Sequence, residues 1–354
     1  MPTLLDPLTV GAIHLPNRII MAPLTRSRAT ADTRVPVPMM VEYYSQRAAA
    51  GLIISEATVV DRMGVGYEAT PGIWSDEQVE GWKTVTRGVH DAGGRIVLQL
   101  WHVGRISDPC FLDGQPPVSA SAIAAKGHVS LLRPERPFPV PRALTTEEIP
   151  GIIAAFRTGA VNAKAAGFDG VEIHGANGYL LDQFLQDSTN KRTDAYGGSL
   201  ENRARLMLEV TDAAIDVWGA DRVGVHLAPR CDSHDMGDSN PLATFTYVAR
   251  ELGKRGIAFI CAREARQEDS IGPQIREAFG GVYIANENFT YESAEQALSE
   301  GVADAVAFGK AFIANPDLVG RFAAKAPLNA WDDTTFFGGG SKGYIDYPTL
   351  PDNL

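Results

Sequence analysis

Short apolar runs bounded by glycine or polar residues alternate with longer stretches of helical period, and the alternation repeats eight times. The runs fall at 18–24, 51–60, 95–102, 170–174, 223–228, 257–262, 281–285 and 303–308. Most are apolar throughout rather than alternating, the pattern of parallel strands buried on both faces. Between them, 146–166 opens with Thr146-Glu-Glu and then places Ile149, Ile152, Ile153, Phe156 and Val161 near helical spacing. The stretch 199–218 opens with Ser199 as an N-cap and Glu201 in its first turn. Segments 76–92, 241–254, 271–279, 293–300 and 317–324 read as helices in the same way. Eight strand–helix units predict an α/β fold, a (β/α)8 TIM barrel, for which roughly 250 residues suffice. The whole chain, 1–354, reads as one domain.

Residues beyond that need lie in three places. Residues 1–17 read as an N-terminal β-hairpin, strands 4–10 and 13–16 turning at Gly11, able to close the barrel floor. Residues 103–145 form a proline-rich excursion after strand three that lacks helical period; a loop this long acts as a lid or carries small elements of its own. The tail from Pro327 holds Phe336-Phe-Gly-Gly-Gly340 and Tyr344-Ile-Asp-Tyr347.

Composition narrows the function classes. The chain has 354 residues, 45% of them hydrophobic, which excludes wholesale disorder. With 32 basic against 43 acidic residues its net charge is −11, which argues against a nucleic-acid binder or a polybasic membrane-surface protein. No apolar run approaches the roughly 20 residues that span a bilayer, and Met1-Pro-Thr-Leu-Leu-Asp-Pro7 lacks the regions of a signal peptide. Cys110, Cys231 and Cys261 stand far apart, without a C-x-x-C pair, against a thiolate-held cluster, a structural zinc or a disulfide scaffold. A soluble, cytoplasmic protein acting on a small molecule, as monomer or homodimer, is the expectation.

In such barrels chemistry sits at the C-terminal strand ends. Those ends offer Thr25, then Ala57 and Thr58, then Gln99, Trp101 and His102. Strand four adds His174, Asn177 and Tyr179, strand five His226, strand seven Asn286-Glu-Asn288 and strand eight Gly309-Lys310. Loops after strands seven and eight often bind phosphate through backbone N–H groups; alternatively Gly309-Lys310 is a turn glycine beside a solvated lysine. His174 and Asn177 bracket a Gly-Ala turn, so two N–H donors can converge on one carbonyl oxygen and polarise it. Tyr179, two residues on, can supply a proton; the plain alternative is a strand-capping histidine and a tyrosine packed under a loop. A Gly64-x-Gly66-x-x-Ala69 match opens no helix, so a nicotinamide would bind in the barrel mouth. His102, His174 and His226 also end successive strands and offer a second reading, a metal-dependent barrel hydrolase.

Several motifs in series resemble the old yellow enzyme family of FMN-dependent ene-reductases. They are Met21-Ala-Pro-Leu-Thr-Arg26, Glu42-Tyr-Tyr-Ser-Gln-Arg47, Gly51-Leu-Ile-Ile-Ser-Glu-Ala57 and Gln99-Leu-Trp-His102. His174-Gly-Ala-Asn-Gly-Tyr179, Arg192-Thr-Asp-Ala-Tyr-Gly-Gly-Ser199, Ala307-Phe-Gly-Lys310 and Ala314-Asn-Pro-Asp317 continue the series. The resemblance runs nearly end to end and is weakest at 105–145 and 230–240. It implies one non-covalent FMN across the barrel mouth: Thr25 on flavin O4, Gln99 on the pyrimidine end, Pro23, Leu24 and Ala57 along the ring, and Asn288, Gly309 and Lys310 by the phosphate. It further implies that His174 and Asn177 grip a carbonyl or nitro oxygen, that Tyr179 is the proton donor, and that Tyr67, Trp101 and Tyr344 line the substrate side. The implied reaction takes hydride from NADPH or NADH and reduces the C=C bond of enones, enals, maleimides or nitroalkenes. Two positions depart from the family pattern. His226 stands where an arginine near flavin N1 and O2 is usual, and a histidine supplies full charge only when protonated. Lys310 stands where arginine is frequent and lacks bidentate geometry toward phosphate. A flavin-binding module with weakened activity is the corresponding alternative.

Overall fold

The computed structural model describes residues 1–231 and 233–351. Strands β1 (Leu8–Val10) and β2 (Ile13–Leu15) form the antiparallel hairpin. The barrel consists of β3 (Ile19–Met21), β4 (Leu52–Ile54), β6 (Ile96–Trp101), β9 (Gly170–His174), β10 (Val223–Leu227), β11 (Phe259–Arg263), β12 (Val282–Asn286) and β13 (Ala305–Phe308). Each pairs in parallel with the next, and β13 pairs with β3, which closes the ring. This is the (β/α)8 barrel the pattern predicts. The run 51–60 is split: β5 (Thr58–Val59) follows a break at 55–57 and pairs with the end of β6. The hydroxyls of Ser55 and Thr58 both donate to the Glu56 carbonyl there, so side chains replace the ladder.

Around the ring stand α1 (Pro38–Ser45), α2 (Asp76–Asp91), α3 (Ile149–Ala165), α4 (Leu180–Leu185), α5 (Leu200–Trp218), α6 (Pro241–Arg255), α7 (Gly272–Phe279), α8 (Tyr291–Ser299), α9 (Lys310–Ala314) and α10 (Leu318–Ala324). Helix α2 starts at a capping box between Ser75 and Gln78 and buries Val79, Trp82, Val85 and Val89. Ser199 caps α5 through the Asn202 amide, as expected. Helices α1, α4 and α9 have no counterpart in the periodic pattern; α4 is buried on every side, which erases the amphipathic signal.

The hairpin closes the floor. Val10, Ile13 and Leu15 pack against Ile20, Leu52, Ile54, Val97 and Phe259 inside the ring. Gly11 has φ 55°, and a Cβ there would stand 2.0 Å from the Asp221 carbonyl oxygen, so only glycine fits the turn. The excursion 103–145 carries elements of its own, a short parallel pair of β7 (Val118–Ser119) and β8 (Arg142–Ala143). Its Val103, Ile106, Leu112, Val129 and Phe138 pack with Ala57, Val65 and Trp101. Among the described residues no helix is long and apolar enough to cross a membrane.

Strand register places the polar side chains. His226 lies opposite His174 on one side and Cys261 on the other. Gln99 lies opposite Glu172, and Arg263 opposite Asn286.

Candidate active site

A cavity of about 600 Å³ opens at the C-terminal mouth of the barrel, within the usual range of cofactor sites. Pro23, Leu24, Thr25, Ala57, Tyr67, Gln99, Trp101, His174, Asn177, Tyr179, His226, Asn288, Gly309 and Lys310 all line it. Two expected residues are not among them. Tyr344 is buried elsewhere, stacked on Tyr43 at 4.2 Å and flanked by the guanidinium groups of Arg26 and Arg28, so it does not line the substrate side. His102 turns its Nδ1 to the Gly104 amide at 3.0 Å, and burial depresses its pKa to about 4. With His102 turned away, the histidine trio of the hydrolase reading does not converge.

Hydrogen bonds brace the strand-four turn. Gly178 has φ 76°, and its amide donates to the buried Asp182 at 2.9 Å while Gln183 donates to its carbonyl at 2.8 Å. This holds Tyr179 at the start of α4. The Ala176 amide donates to His174 Nδ1 at 3.4 Å. Burial first, then the neighbouring His226, pushes the His174 pKa well down. His174 is therefore neutral with its proton on Nε2, a donor without charge. Asn177 sits in the left-handed region at φ 58°. Arg263 Nη1 donates to its Oδ1 at 3.0 Å, and its backbone carbonyl accepts from His234 Nδ1 at 2.7 Å.

Aromatic rings pack beside these groups. Tyr67 stacks on Trp101 at 5.7 Å, and Tyr179 meets Trp101 edge-on at 4.9 Å and His174 at 5.1 Å. The Tyr179 and Tyr67 hydroxyls lie 3.0 Å apart. Burial pushes the Tyr179 pKa up to about 12, so the phenol keeps its proton at neutral pH.

Deeper lies a polar group with open valences. Gln99 Nε2 donates to Glu172 Oε2 at 2.7 Å, and that oxygen lies 3.6 Å from His226 Nδ1. Among the described residues, both His226 nitrogens and Glu172 Oε1 have no hydrogen-bond partner. Because Gln99 spends its amide on Glu172, its carbonyl oxygen remains to accept from a bound N–H. His226 and Gln99 line the cavity, so the open imidazole nitrogens and the amide oxygen can meet polar atoms of a bound molecule, and the heteroatom-rich pyrimidine end of a flavin matches them. At the opposite end Gly309 caps α9, Lys310 stands at its first residue, and Asn288 adopts φ 57°. One positive charge at a helix start suits a phosphate. The residues present fit FMN at both ends.

Sequence reasoning misses Arg263 and His234, which line the same cavity, as do Ser130 and Leu131 of the excursion and Trp331, Phe336 and Phe337 of the tail; Glu287, offered only as part of the strand-seven end, lines it too. Strand six, read as 257–262, stops one residue short of Arg263; the available signal was a charged residue at a strand end.

The geometry defines a flavin-binding TIM-barrel oxidoreductase. The NADH:flavin oxidoreductase / NADH oxidase family model matches residues 3–329, and the chain belongs to that family. Morphinone reductase, solved in complex with tetrahydroNAD, is 49% identical with a TM-score of 0.95 over 99% of both chains. The old yellow enzyme homologue from Zymomonas mobilis is 46% identical with a TM-score of 0.96 over 99% of this chain and 100% of that one. A probable flavin mononucleotide-dependent alkene reductase of Leishmania infantum is 45% identical over 98% of this chain and 97% of its own. FMN is thus the cofactor and a nicotinamide the hydride donor.

Proposed function

We propose that His174, Asn177 and Tyr179 are the groups with which this protein, an FMN-dependent ene-reductase, handles an electron-poor alkene. The supporting observation is the convergence of a neutral imidazole, a carboxamide and a protonated phenol on one wall of a cavity whose floor suits a flavin. A bound FMN would supply the redox chemistry, hydride exchange between NAD(P)H and the alkene. His174 Nε2–H and Asn177 Nδ2–H donate to the substrate's carbonyl or nitro oxygen and stabilise the negative charge that develops there. The Tyr67–Trp101 wall orients the alkene. Tyr179 donates its proton to the α-carbon, and the Tyr67 hydroxyl at 3.0 Å stabilises the phenolate left behind. Pro23, Leu24, Thr25 and Ala57 would hold the ring, Gln99 and His226 the pyrimidine end, and Asn288, Gly309 and Lys310 the phosphate. Enones, enals, maleimides and nitroalkenes share the required acceptor oxygen. The free thiols suit a reducing compartment, the cytoplasm, and a monomer or homodimer completes the reading.

The test is steady-state oxidation of NADPH or NADH by the FMN-loaded protein with 2-cyclohexenone. Turnover with saturated ketone as product is expected. Flavin-loaded protein that oxidises nicotinamide but leaves the enone unchanged would contradict the reading.

A further inference from the structure

The geometry assigns Arg263 a role in this reaction that rests on the reading of Asn177 above: it is the positioning residue that decides which end of the Asn177 carboxamide faces the substrate. Arg263 is the last residue of β11, and its guanidinium lines the cavity. Two of its nitrogens grip one carboxylate, Nε on Glu287 Oε2 at 2.8 Å and Nη2 on Glu287 Oε1 at 3.1 Å. The third, Nη1, reaches the Asn177 side chain at 3.0 Å. A guanidinium has only donors, so the atom it meets must be the amide oxygen. Both Nδ2 hydrogens are then left for the cavity that Asn177 lines.

Without that contact the carboxamide is free to turn over. A substrate oxygen facing Oδ1 instead of Nδ2–H would be repelled, so half of the donor pair would be lost in one of the two orientations. The fork on Glu287 matters because it fixes the guanidinium plane and so the direction of Nη1. Glu287 itself is held at φ 103° and Asn288 at φ 57°, a backbone strain that persists only where the surroundings over-determine it. The chain thus runs Glu287 to Arg263 to Asn177, across the ends of strands seven, six and four. His234, also in the cavity lining, holds the backbone carbonyl of the same asparagine.

The experiment is a double-mutant cycle on the FMN-loaded enzyme. It reads the apparent dissociation constant of 2-cyclohexenone from the concentration dependence of flavin reoxidation after anaerobic reduction. Arg263→Met is expected to weaken binding about tenfold in the parental background and less than about twofold in Asn177→Ala, as fits a donor bond that acts only through its acceptor. Arg263→Lys should recover most of the loss, because an ammonium still donates to Oδ1. Glu287→Gln, which keeps the guanidinium, should show a smaller coupled loss and serves if Arg263→Met does not fold. Equal losses with and without Asn177, or no loss, would overturn the proposal while leaving the donor pair intact. An Asn177→Ala enzyme that binds the enone as the parent does would instead remove the reading beneath it.

Discussion

The two ends of the barrel are built from the same strands on opposite principles. At the floor, Val10, Ile13 and Leu15 of the hairpin fill the ring with hydrocarbon among Ile20, Leu52, Ile54 and Phe259. At the mouth, His226 and Trp101 keep buried polar atoms without partners among the described residues. Gly224 and His226, two residues apart on β10, show the contrast: the first yields its space to the Phe259 ring, the second keeps both nitrogens open. The floor is packed with hydrocarbon that stabilises the fold, and the mouth holds buried polar groups that a bound molecule can pair.

That division is testable by damaging one end at a time. Gly11→Val forces a β-branched residue into the left-handed turn and against the Asp221 carbonyl. It should cost on the order of 3 kcal/mol, read as a lower thermal midpoint, while enone reduction per folded, flavin-loaded enzyme stays near the parental rate. A matching fall in that rate would mean the two ends are not separable. His174→Ala removes a donor at the mouth and should weaken enone binding roughly thirtyfold, about 2 kcal/mol, with little change in the midpoint; titration and calorimetry together check it. His226→Arg places a permanent charge beside Glu172 and the open valences. It should raise the bound flavin's potential by about 30 mV, the two-electron equivalent of about 1.4 kcal/mol, and equal potentials in redox titrations would refute it.

The smallest effect concerns pH. Burial pushes the Glu56 carboxyl, which accepts from the Tyr44 hydroxyl at 3.2 Å, up to about 7. Between the ordinary carboxylate range and pH 7 the folded protein holds a proton there that the unfolded chain has released. Stability from this group therefore falls as pH rises through that window. Glu56→Gln should flatten the decline in thermal midpoint; an unchanged slope from pH 4.5 to 7 would exclude Glu56 as its source.

The sequence is readable where function depends on local order and opaque where it depends on pairing across the fold. The run 170–174 matches β9, and the turn that follows delivers His174, Asn177 and Tyr179 together, because one strand and one tight turn carry all three. Arg263 escapes notice, and Glu287 is seen only as a strand-end residue, because their pairing lies in the register of β11 beside β12. Tyr344 misleads for the reverse reason: an aromatic in the tail is drawn into a stack with Tyr43 and two arginines from distant positions. His102 is diverted by a bond only two residues away, a contact hydrophobic periodicity does not register.

The central claim is that the phenol of Tyr179 protonates a substrate whose reduction begins at a flavin on the barrel mouth. Anaerobic stopped-flow spectroscopy tests it directly, following flavin bleaching by NADPH or NADH and then recolouring by 2-cyclohexenone in the parental enzyme and in Tyr179→Phe. The account predicts unchanged bleaching and recolouring slowed about 10²- to 10⁴-fold, the usual contribution of a positioned acid. Recolouring of Tyr179→Phe at the parental rate would contradict it.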